Sequence, residues 1–281
     1  MKTRVPALLT AGALSLSLAA CGGGASAEPE ETADAAGGEG GGGGVTSLLA
    51  DLAASTEAVD NYTLDMSMTV SDPEAGETEM DFTYEVMDEP QAAQVTVYMP
   101  AMGDMLLELA ELSGRATDLT AEELSTSVVI VPAGGDMLIS NHNGLQEVDT
   151  AWARGVDSSG LQPVTETMFD TSNLPELAGA VAAIETIEEA GTEEISGVGT
   201  TRLEGSFTAE EIDALTEEQS GALSDLIGDT TGAMDVSIWI ADDGFPMRMD
   251  FNDGAGELSM VFSALGETSF ELPSEDEITD V

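Results

Sequence analysis

Apolar residues recur at every second position over several stretches, and this spacing constrains the chain more than any other feature. Tyr62, Leu64, Met66, Met68 and Val70 alternate with Thr63, Asp65, Ser67 and Thr69. Met80, Phe82, Tyr84 and Val86 repeat the period, as do Val95, Val97 and Met99. Turn chemistry separates the runs, at Asp72-Pro73-Glu74-Ala75-Gly76 and at Glu89-Pro90. Side chains two apart share one face of a strand, so these runs predict an antiparallel meander with a single apolar face. The period returns late in the chain, in Val236, Ile238 and Ile240, in Met247, Met249 and Phe251, and in Leu258, Met260 and Phe262. A turn at Asp242-Asp243-Gly244 joins the first two of these late runs.

Helical spacing appears between and before the strands. Val45, Leu48, Leu49 and Leu52 predict a short helix capped by Thr46 or Ser47. Met102 to Leu112 reads as a helix with Met105, Leu106, Leu109 and Leu112 apolar, and Leu174 to Ile184 as another. A further helix starts at Thr208, with Glu210 and Glu211 in its first turn. Short strands are expected at 128–131, 137–140, 184–190, 193–196 and 200–207. The fold class expected is α+β: a strongly curved antiparallel half-barrel sheet of about ten strands, with helices covering its concave face.

Charge narrows the function. The 281 residues carry 55 Asp and Glu against 6 Lys and Arg, for a formal net charge of −49. Lys2 and Arg4 stand at the N-terminus; beyond them only Arg115, Arg154, Arg202 and Arg248 are basic, and no lysine follows. A nucleic-acid partner needs a basic footprint that this chain lacks. Schiff-base chemistry and a P-loop need a lysine. One Cys and one His build neither a structural zinc site nor a Cys/His nucleophile pair. No G-x-S-x-G or EF-hand pattern occurs. Met99, Met102 and Met105, with His142, have the spacing of a soft copper site, yet a methionine stripe at that spacing is more commonly core or cavity lining. Neither an enzyme nor a metal or other cofactor is expected.

The N-terminus assigns a compartment. Lys2 and Arg4 precede an apolar run from Ala7 to Leu18, and Leu18-Ala19-Ala20-Cys21 has the form of a bacterial lipobox. A thiol is required there because the sulfur takes a diacylglyceryl group before cleavage, and Cys21 is the only cysteine in the chain. Residues 1–20 are therefore expected to be a lipoprotein signal peptide, 21–44 a flexible Gly-rich acidic tether spanning ~25–30 Å, and 45–281 the folded domain. The expected location is the extracytoplasmic face of the cell membrane, held by the lipid on Cys21, with the protein a monomer.

Two hairpins carry a family resemblance. Gly191-Thr192-Glu193-Glu194-Ile195-Ser196-Gly197-Val198-Gly199-Thr200-Thr201-Arg202-Leu203 is one. Val236-Ser237-Ile238-Trp239-Ile240, followed by Asp243-Gly244-Phe245-Pro246-Met247-Arg248, is the other. With the endings Phe262-Ser263-Ala264-Leu265-Gly266 and Leu272-Pro273-Ser274, they resemble the actinobacterial LppX/LprG-type lipoproteins, which have a LolA-like half-barrel. Leu203 departs from that pattern, which more commonly has an aromatic residue there. The resemblance implies an apolar cavity between sheet and helices that holds a lipid or lipoglycan acyl chain. The residues expected to line it are Leu64, Met66, Met68, Met80, Phe82, Tyr84, Val95, Val97, Met99, Ile238, Met247, Met249 and Met260. A void of several hundred Å³ would be of ligand size. The alternative is an acidic adhesion or sensory module of the envelope, with a filled core and no lipid ligand.

Overall fold

The computed structural model describes residues 41–55, 59–72, 76–113, 118–155, 174–227 and 232–281. The expected signal peptide, Cys21 and most of the expected tether lie outside the described residues. The first helix, α1 (Gly41–Ser55), begins inside the stretch expected to be tether and upstream of the caps expected at Thr46 or Ser47. The meander follows as β1 (Tyr62–Asp72), β2 (Gly76–Asp88) and β3 (Gln91–Tyr98). Next come α2 (Pro100–Leu112), α3 (Ala121–Ser125), β4 (Thr126–Pro132), β5 (Leu138–Ser140) and β6 (Trp152–Arg154). After α4 (Leu174–Val181) come β7 (Glu188–Ile195), β8 (Val198–Phe207), α5 (Ala209–Asp213) and α6 (Glu217–Ile227). The chain ends with β9 (Met234–Ala241), β10 (Pro246–Asn252), β11 (Gly256–Ser263) and β12 (Ile278–Asp280).

All twelve strands join one sheet in the order β12-β6-β5-β4-β3-β2-β1-β11-β10-β9-β8-β7. It is open, with β12 and β7 at its edges, and forms a curved α+β half-barrel. The sheet is mixed where an antiparallel one was expected. β12 runs parallel to β6, and the other neighbours are antiparallel. The cause is the route of the C-terminal segment. After β11 it crosses the outer face: Thr268 bonds Asn61 and Thr63, and the Phe270 N–H donates to Met87 Sδ at 3.1 Å. Arg154 then holds Glu275 at 2.7 Å and Asp280 at 3.3 Å, and β12 lies down beside β6 in the same direction.

Cross-strand register puts the alternating residues on one inner face. Leu203, Ile238, Met249, Met260, Met66, Phe82 and Val97 are successive partners across seven strands. A second row runs through Phe262, Leu64, Tyr84, Val95, Val129, Ile139 and Ala153. Leu49 and Leu52 of α1, Leu177 and Val181 of α4 and Leu223 of α6 pack onto this face in one core. The β9–β10 turn is pinned to α1 by Gly244. Its φ is +90°, and a Cβ there would sit 2.7–2.9 Å from Asp51 atoms, so only glycine fits.

Several elements differ from expectation. The helix expected from Thr208 is two helices, because Thr216 starts a second cap: its hydroxyl accepts from Gln219 N–H at 3.2 Å. The strands expected at 184–190 and 193–196 are one strand, β7, with a register shift between Glu189 and Gly191. Helix α3 was not expected. Thr120 caps it, and Glu123 returns a bond to the Thr120 N–H. The same tetrapeptide, Thr-Ala-Glu-Glu, starts α5 at Thr208. α2 forms where expected, but its apolar residues do not cover the sheet: Met105, Leu109 and Leu112 face solvent.

Candidate functional site: an apolar cavity at the end of the concave face

At the far end of the inner face, between β1 and the β10–β11 hairpin, the described residues bound a cavity of about 150 Å³. Its wall is apolar: Met68 and Val70 from β1, Phe251 from β10, Leu258 from β11 and Met234 at the start of β9. Register explains why they meet. Met68 pairs with Leu258, Leu258 with Phe251 and Phe251 with Val236, so all share the inner face near the strand ends. Here Val70 is exposed and Met68 half-buried, which leaves the cavity open to water. The rim is polar, with Asn252, Asp253 and Glu257 exposed in the hairpin. Asp253 accepts from the N–H groups of Ala255 and Gly256 at 2.9 and 2.8 Å, and Asn252 from that of Gly254 at 2.8 Å. These bonds hold the turn that forms the mouth.

The thirteen cavity residues expected from sequence are distributed differently. Only Met68 lines this cavity. Leu64, Met66, Tyr84, Val95, Val97, Ile238, Met247, Met249 and Met260 are buried in packed core, and Met80, Phe82 and Met99 are half-buried. Met234, Val70, Phe251 and Leu258 line the cavity without having been singled out. Val70, Phe251 and Leu258 belong to the same alternation and lie nearer the strand ends. The cavity is also smaller than the several hundred Å³ expected. Burial pushes the Tyr84 hydroxyl up to about 12.

A second depression, about 390 Å³, lies on the β7–β8 hairpin and is lined by Glu193, Glu194 and Asp242 with Thr192, Thr200 and Thr201. It is acidic, and its lining has no aliphatic or aromatic residue. Glu193 accepts from the Trp239 indole N–H at 2.8 Å, and Arg202 and Arg248 stack over that ring at 4.9 and 4.7 Å. Two of the chain's few cations are thereby held in a cation–π sandwich on the outer face. Among the described residues no group of His, Cys, Asp or Glu is placed to hold a metal ion. Met102 and Met105 face water, and His142 Nδ1 lies 3.1 Å from its neighbour Ser140 Oγ. No described helix is long and apolar enough to cross a membrane.

No protein-family model and no curated protein matches the chain. Solved structures do resemble it. The lipoprotein LppX of Mycobacterium tuberculosis is similar at 15% identity, over 82% of this chain and 98% of that one, with a TM-score of 0.44. LprF of Mycobacterium bovis is similar at 14% identity, over 83% and 98%, with a TM-score of 0.45. A LolA-superfamily protein of Nitrosomonas europaea is similar at 10% identity, over 83% and 96%, with a TM-score of 0.28.

Proposed function

We propose that this chain is a lipoprotein, anchored through Cys21, that binds an acyl chain of a lipid or lipoglycan and carries it within the cell envelope. The observation that carries this reading is the methionine-walled cavity opening at the end of the concave face. An apolar-walled cavity of about 150 Å³ is large enough for a benzene-sized group. It therefore suits the last few carbons of one acyl chain, not a whole lipid. Each methylene moved from water into such a wall contributes about 0.8 kcal/mol, so five contribute about 4 kcal/mol. Met68 and Met234 are unbranched and polarizable, and their rotamers can widen the space for a longer stretch. The polar rim at Asn252, Asp253 and Glu257 would face a headgroup or water. Such a carrier encloses its cargo and needs no catalytic residue.

One observation favours the alternative, an acidic adhesion or sensory module. Away from the cavity the inner face is densely filled: Phe207, Phe245, Phe262, Leu64 and Leu203 are each under 2% exposed. The two readings separate in one experiment on the full chain carrying Cys21→Ser. The carrier reading expects an acyl-containing molecule in the organic extract by mass spectrometry, and saturable uptake of a fluorescent fatty acid that Leu258→Trp abolishes. No acyl ligand and no uptake by the parent protein would leave the filled-core module.

A further inference from the structure

Helix α2 has three distinct faces. Gly103, Leu107 and Ala110 turn inward, and Asp104, Glu108 and Glu111 form an exposed or rim-lying acidic arc. Met102, Met105, Leu109 and Leu112, spaced three and four apart, form the third face and stand 37%, 55%, 59% and 78% exposed. The helix cannot roll to hide them. Gly103 lies so close to the Ala121 carbonyl and Ser125 Oγ that a Cβ has no room, and the Met99 N–H donates to the Ser125 carbonyl at 2.9 Å. Four large apolar side chains in a row, held outward on so acidic a chain, mark a surface that is covered in use.

We infer that this stripe docks on the lipid bilayer to which the chain is tethered. The inference rests on the anchor reading of Cys21 given above. It also rests on the Gly-rich tether expected from the sequence between Cys21 and Gly41, which as a coil of about 20 residues would reach about 25 Å and keep a bilayer close to the domain. Tethering makes docking intramolecular, and a modest apolar contact then suffices. A helix with one apolar face and one charged face lies in the interface plane with the apolar face sunk among the acyl chains. A second copy is a poor occupant, since it would bring two chains of charge −49 together with their acidic arcs beside the contact. The same arc sets the lipid preference. Neutral headgroups are favoured, anionic ones oppose docking, and salt relieves that opposition over a Debye length of about 8 Å. The salt dependence is opposite to that of a basic peripheral helix.

The test uses the mature lipidated chain in phosphatidylcholine vesicles. Cys21 is the only native cysteine and is consumed by the anchor, so Leu109→Cys can be labelled uniquely with an environment-sensitive dye. Spin-labelled lipid should quench that dye at least about twofold and leave the same dye at the exposed Thr192→Cys unchanged. Adding phosphatidylglycerol should reduce the quenching, and raising salt should restore it. Met105→Glu with Leu112→Glu should abolish it while uptake of fluorescent fatty acid stays as in the parent. Quenching retained without uptake counts against the carrier reading alone; uptake retained without quenching counts against docking alone. Equal quenching at both positions, a dye shift that grows with protein density and ignores the lipid quencher, or a chain recovered without a diacylglyceryl group would each overturn the inference.

Discussion

Helices α1, α4 and α6 and helix α2 are all rich in apolar residues, yet they use them in opposite ways. Leu49 and Leu52 of α1, Leu177 and Val181 of α4 and Leu223 of α6 are buried in one core with the inner-face side chains of the sheet. Met105, Leu109 and Leu112 of α2 point to water, because the side of α2 that meets the protein is the one carrying Gly103, Leu107 and Ala110, seated closest at Gly103. The sheet beneath shows the same contrast. Phe207 and Phe262 are fully covered, whereas Phe82 and Met80 on β2 are only half-buried. Apolar periodicity says which residues share a face. Whether protein, lipid or water meets that face is decided by the shape of the neighbour, and here one glycine contact decides it.

The contrast can be broken by substitution. Phe262→Ala should cost about 3–5 kcal/mol, since a fully buried ring between Tyr62 and Phe245 would leave a cavity; Leu109→Ala should change stability by no more than about 0.5 kcal/mol. Urea unfolding of the two variants measures both, and equal losses would mean that α2 packs as the other helices do. Gly244→Ala should come next, at about 1–3 kcal/mol, because it forces a side chain into positive φ against Asp51 and loosens α1 from the β9–β10 turn. Thr208→Ala removes a cap and should cost about 1 kcal/mol, read as a drop in urea midpoint without a change of slope.

The smallest expected effect is on pH dependence. Glu211 is held below the usual carboxylate range first by the Glu185 N–H and then by the Thr208 hydroxyl and N–H. Glu123 is lowered in the same way by Thr120, and Glu277 by Ser274. A carboxylate whose folded pKa is depressed stabilises the fold above its unfolded value, near 4.3, and the contribution is lost as pH falls through the folded value. Glu211→Gln should therefore lower stability at pH 7 slightly and flatten the acid limb below about pH 4 relative to the parent. A limb of unchanged slope would show that this cap does not contribute.

Much of the fold is legible in the sequence, for local reasons. The long runs that became β1, β2, β3, β9, β10 and β11 carry a period of two over several residues, and their turns carry Pro, Gly or Asp. β6 and β12 have three residues each, too few for any period, and are placed by long-range partners: Arg154 with Glu275 and Asp280, and Thr150 with Thr279. Helix α3 did have a local signal, the capping box from Thr120 to Glu123, and the same Thr-Ala-Glu-Glu begins the helix expected from Thr208. The cavity was legible only as a face. Met66 and Met68 look alike in sequence, but Met66 lies beneath covering side chains and Met68 lies where the strands outrun them.

The most direct test of the carrier account is native mass spectrometry of the Cys21→Ser chain, beside the Leu258→Trp variant, after exposure to a saturated fatty acid. The account predicts one bound acyl chain per parent protein and none on the variant, with both equally stable to urea. A parent protein that emerges bare, or a variant that binds as well as the parent, would contradict it.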